Sequence, residues 1–60
     1  MTNANTKKAL IVRAEMMIEQ WLRHGCTFAE SYQAWEESTT AGRAVKEAVK
    51  ANFEDYGYTL

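Results

Sequence analysis

Apolar side chains recur along residues 6 to 24 with the spacing of an amphipathic helix. At about 100° per residue, Leu10, Ile11, Ala14, Met17, Ile18, Trp21 and Leu22 fall within one arc of roughly 140°. Arg13, Glu15, Glu19, Gln20, Arg23 and His24 take the other side. Val12 and Met16 break this division, because both land among the polar residues, one turn apart. Gly25 follows at the place where a left-handed residue commonly ends a helix.

The next stretch, CTFAESYQAWEES, opens with Thr27 and Glu30 at the T-x-x-E spacing of a capping box. A second helix is therefore expected over 28–38. Its Phe28, Tyr32 and Trp35 lie at i, i+4 and i+7, an aromatic seam roughly 60° wide, with Glu30, Gln33, Glu36 and Glu37 elsewhere on the wheel. The apolar positions beyond it, Ala41, Ala44, Val45, Ala48, Val49, Phe53 and Tyr56, are displaced from that seam by roughly 120°. The helix has to break there, and the hydroxyls of Ser38, Thr39 and Thr40 offer N-caps for a third helix over about 40–56, which Gly57 ends.

These elements predict an all-α, three-helix domain with helices over about 6–24, 28–38 and 40–56. Residues 1–5 read as a flexible N-terminal tail and 58–60 as a C-terminal one. The aromatic seam and the Ala/Val face of the third helix should cover the first helix's broad apolar face. Ala44 and Ala48 should allow close backbone approach beside the bulky Trp21 and Trp35. Alternation of period two is absent, so no strand is expected outside the terminal YTL.

Size changes the picture. Sixty residues make one domain and bury only about 60% of the unfolded surface, a thin margin that small domains raise with disulfides, metal or self-association. With a single cysteine, Cys26, an internal disulfide is impossible, and four metal ligands are hard to assemble. Self-association is the remaining aid, and no cofactor is expected. Hydrophobic content of 47% with 25% charged residues is that of a folding chain rather than a disordered one.

A formal net charge of −1 gives no overall attraction to nucleic acid or to an anionic membrane. Lys7 and Lys8 precede only four apolar residues before Arg13, short of the about seven that an export signal needs. No run approaches the roughly 18 apolar residues of a membrane span. A cytoplasmic location without membrane contact is the expectation, and an unpaired cysteine agrees with it.

Candidate chemistry is sparse. His24 and Cys26 lie two residues apart, but a histidine in a last turn is favoured by the helix dipole, and neither an orienting third group nor an oxyanion site accompanies the pair. No enzymatic activity is expected. Arg43, Lys46 and Lys50 line one face of the third helix and suggest phosphate contacts, which would make helices two and three a helix-turn-helix-like element of a dimeric DNA-binding regulator. Two features oppose this. Glu47 can pair with Arg43 and Lys50 along the helix, and Glu36 and Glu37 would face the DNA backbone.

Val12 and Met16 carry the preferred alternative, because an apolar pair outside the core face of a marginal domain suggests an intermolecular surface. The simplest object is a homodimer of antiparallel first helices, Val12 of one chain meeting Met16 of the other, with Arg13, Glu19, Gln20 and Arg23 as a polar rim. The function expected is that of a small, non-enzymatic regulator or adaptor acting on a further protein by contact alone. Chain size suggests an accessory protein of a bacterium or phage.

Overall fold

A computed structural model describes residues 6–60, and the tail expected over 1–5 lies outside them. Three helices follow in order: α1 (Lys7–Arg23), α2 (Phe28–Ser38) and α3 (Arg43–Asp55). No strand occurs among the described residues.

Each helix begins and ends for a local reason. Thr6 caps α1, its hydroxyl accepting from the Ala9 N–H at 3.2 Å. At the other end Gly25 adopts φ +92°, a left-handed conformation that costs side-chain-bearing residues steric strain. The Gly25 N–H then donates to the Leu22 carbonyl at 3.0 Å and the Cys26 N–H to that of Trp21 at 3.2 Å, a Schellman pair that satisfies the last carbonyls. α2 opens with the expected capping box: the Glu30 N–H donates to the Thr27 hydroxyl at 3.1 Å, and the Thr27 N–H to Glu30 Oε1 at 2.9 Å. Gly57, at φ +96°, repeats the Schellman arrangement after α3, with Gly57 N–H to Glu54 O at 2.9 Å and Tyr58 N–H to Phe53 O at 3.0 Å.

The start of α3 differs from the expectation of residue 40. Thr39 is the extended C-cap of α2, and its hydroxyl accepts from the Ala41 N–H at 3.1 Å. Such a local turn competes with helix formation and spends the hydroxyl inside the joint. Gly42 is left as the N-cap of α3, with no side-chain bond.

α1 is the central element. It packs against both α2 and α3, whose backbones scarcely approach each other. The core combines Ala14 and Ile18 of α1 with Phe28, Tyr32 and Trp35 of α2 and Val45, Val49 and Phe53 of α3. The aromatic seam is thus buried as its spacing predicts. Ser31, fully buried on α2, needs no distant partner, because its hydroxyl donates to the Thr27 carbonyl at 2.8 Å. Phe28 is the meeting point of the rings: its centroid lies 5.1 Å from that of Phe53 and 5.6 Å from that of Tyr58. Tyr58, within the stretch read as a tail, packs on the rim of the core after Gly57 has turned the chain, and it stays 40% exposed.

Three core assignments made from helical phase are corrected. Trp21 is 40% exposed, Ala44 is exposed, and Tyr56 is 76% exposed. Ala44 lies at the margin of its apolar arc, whereas Trp21 is as near the centre of the α1 arc as the fully buried Ile18 and is left open because it sits in the last turn of the helix. Tyr56 is the C-cap of α3, one residue past its last turn, and Tyr58, itself 40% exposed, lays its ring against Phe28 and Phe53 at the rim of the core.

Candidate functional site

Three surface regions carry the residues singled out above. The first is the face of α1 turned away from the core. Since Ala14 and Ile18 are wholly buried on one side of this helix, Val12 and Met16 project from the other, 44% and 67% exposed. Glu19, Gln20 and Arg23 continue the same surface toward the C-terminal end of the helix and are exposed as well. A hollow of about 450 Å³ lies between Met16, Glu19, Gln20 and Arg23, with Arg13 and Met17 at its margin. A second, of about 440 Å³, lies toward the N-terminal end between Thr6, Lys8, Ala9, Val12 and Arg13. The structure therefore brings Val12, Met16, Glu19, Gln20 and Arg23 together on one ridge flanked by shallow depressions.

The second region is the groove of about 480 Å³ between α2 and α3, which holds Arg43, Lys46 and Lys50. Its bases are not a free positive stripe. Lys46 Nζ lies 3.7 Å from Glu36 Oε2 on α2, and Lys50 Nζ lies 3.4 Å from Glu47 Oε2 on its own helix. The Lys50 pair is the one that spacing suggests, whereas Lys46 makes a bridge between helices that helical spacing along a single segment could not show. Arg43 is exposed, and the expected Arg43–Glu47 pair does not form. Tyr32 closes the floor of the groove, its hydroxyl donating to the Lys46 carbonyl at 3.3 Å. Burial pushes its phenol above the ordinary value of 10.0, and the carboxylates of Glu36 and Glu47 push it the same way. Negative charge is thus built into this groove beside the bases.

The third region was not foreseen as a surface. A mostly apolar hollow of about 600 Å³ lies beside Trp21 and Met17, bounded by Gln20, His24 and Cys26. His24 is the exposed C-cap of α1, and Cys26 is a half-buried free thiol whose backbone N–H closes the Schellman turn. Helical phase could not reveal this hollow, because it assigned Trp21 to the core.

Among the described residues no helix is long and apolar enough to cross a membrane. Comparison of the chain with protein-family models, with curated proteins and with solved structures gives no match.

Proposed function

We propose that this protein is a small non-enzymatic regulator or adaptor that acts by protein–protein contact through the outward face of α1. One observation carries this. The central helix, which supplies buried residues to the interfaces with both of its neighbours, also exposes Val12 and Met16 on the opposite side. Covering apolar surface of this kind contributes about 25 cal/mol per Å² toward association, against the freedom the partners lose, and polar neighbours fix the orientation.

DNA binding through α3 is the competing possibility, and the carboxylates of Glu36 and Glu47 beside Lys46 and Lys50 weigh against it. Phosphate contact requires those bases to exchange a carboxylate for the duplex, with a log–log salt slope of about −0.9 per phosphate neutralised.

The test uses wild-type protein and the Val12→Lys, Met16→Gln double variant, which changes only exposed positions. Each is immobilised and exposed to extract of the source cells, and duplex DNA is titrated separately at low salt. Proteins retained by the wild type and lost with the variant, at unchanged helicity by circular dichroism, are the expected result, together with no retardation of DNA at micromolar protein. Equal capture by both proteins would overturn the assignment of the surface, and salt-sensitive retardation would favour the DNA-binding alternative.

A further inference from the structure

The outward face of α1 has a pattern that points to one occupant. Ala9, Val12, Met16, Glu19 and Arg23 succeed one another at alternating intervals of three and four residues, the spacing of a helix seam that packs on another helix. This seam has an apolar centre and charged ends. Lys8 stands beside its N-terminal part and Glu19 lies in its C-terminal part, both exposed. Among the described residues the ion pairs are Lys46–Glu36 and Lys50–Glu47, so the charges of α1 find no ion-pair partner there.

We infer that the outward face of α1 binds a second copy of this chain antiparallel, with Val12 opposite the second copy's Met16 and Lys8 paired with the second copy's Glu19. The inference rests on the protein-contact function proposed above and names the occupant of that surface. Charge complementarity selects it. With Val12 set against Met16 about a two-fold axis, the same register brings residue 8 of one copy within one residue of the level of residue 19 of the other, on the same side of the seam. Both ends of the interface then gain an opposite-charge pair. A parallel arrangement would instead set Arg23 against Arg23 and bring the two Glu19 side chains near each other, while leaving the two copies' Lys8 on opposite sides of the seam with no opposite-charge pair.

Shape agrees with this register. Small Ala9 leaves the hollow of about 440 Å³ between Lys8, Val12 and Arg13. The second copy's Met16 enters it from opposite Val12, an unbranched side chain suited to an irregular depression. By symmetry the first copy's Met16 enters the equivalent hollow of the second. Arg13 lies at the edge of the seam, where its long side chain reaches water.

The test is a charge exchange read by sedimentation equilibrium on the full chain. Lys8→Glu and Glu19→Lys each turn two attractive pairs into two repulsive ones. At a factor of about two to five for each exposed pair, either change should weaken association by about tenfold. Neither threatens the fold, because an acid in the first turn and a base toward the last both suit the helix dipole. The combined Lys8→Glu, Glu19→Lys variant restores opposite charges only in an antiparallel dimer, and it should recover wild-type association to within about threefold. Additive weakening in the combined variant would overturn the register. A wild type that is monomeric at tens of micromolar would overturn the second copy as occupant, while leaving a foreign protein for the same face. A dimer that survives Val12→Lys, Met16→Gln would overturn both this inference and the function assigned to the face.

Discussion

Ser31 shows how a single small residue sets what the rest of the molecule can do. It is wholly buried on α2, as Ala14 is on α1, and small side chains at such places let helix backbones come together without voids. The Thr27 carbonyl already accepts the Ser31 N–H at 2.9 Å, so removing the hydroxyl leaves no orphaned acceptor. Ser31→Ala, which also gains helix propensity, should therefore change stability by less than about 1 kcal/mol in urea denaturation. Ser31→Leu should cost about 1–3 kcal/mol by overpacking. Equal effects of the two would show that this side of α2 is less closely packed than its burial indicates. Ser31 also marks the limit of pattern reading. A serine between Glu30 and Tyr32 carries no hydrophobic signal, and only its intrahelical bond to Thr27 makes burial inexpensive.

At the scale of elements, legibility followed how local the determining chemistry is. The bounds of α2 were readable because Thr27 and Glu30 satisfy each other's backbone within one turn, and the ends of α1 and α3 because Gly25 and Gly57 take positive φ. The start of α3 was not, since Ser38, Thr39 and Thr40 all look like N-caps in the sequence, yet the turn from Thr39 to Ala41 delays the helix until Gly42 caps it. Helical phase likewise gave the direction in which Trp21 and Ala44 point, but not how far a neighbouring helix extends over them. Val12 and Met16 were visible as exceptions because they lie opposite the whole apolar arc. The capping box makes a prediction at this scale. Bonds from the Thr27 N–H, and secondarily from its hydroxyl, hold the Glu30 carboxyl below its ordinary value of 4.5, against a smaller desolvation effect. A depressed carboxylate value adds stability that is present above about pH 4.5 and is lost as pH falls through the lowered folded value. Glu30→Gln should remove that part of the acid-induced loss, measured as the pH dependence of the urea midpoint. Thr27→Ala should cost about 0.5–2 kcal/mol at neutral pH, as expected for loss of an N-cap. If Thr27→Ala is neutral, the cap is not what starts α2.

For the whole molecule, the decisive quantity is how much surface one chain can bury. α1 is covered by α2 and α3 on one side only, and beyond the last helix Tyr58 alone adds a ring, against Phe28 and Phe53 at the rim of the core. A domain of this size has a small margin, so a second copy on the open side of α1 would act on folding as well as on recognition. Stability must then depend on protein concentration, because binding restricted to the folded state stabilises it by mass action. Where folded dimer converts directly to unfolded chains, a tenfold rise in concentration adds about 1.4 kcal/mol per dimer, or about 0.7 kcal/mol per chain. For a domain of about 60 residues that corresponds to a rise in Tm of roughly 3 to 6 °C. Thermal unfolding of the wild type followed by circular dichroism from ten to several hundred micromolar should show this rise. Val12→Lys, Met16→Gln should unfold at a lower temperature that does not vary with concentration, because the monomer core of Ala14, Ile18, Phe28, Trp35 and Phe53 is untouched. A wild-type Tm independent of concentration over the same range would mean that the three helices are stable without a partner, and the exposed Val12 and Met16 would then have no part in holding the fold.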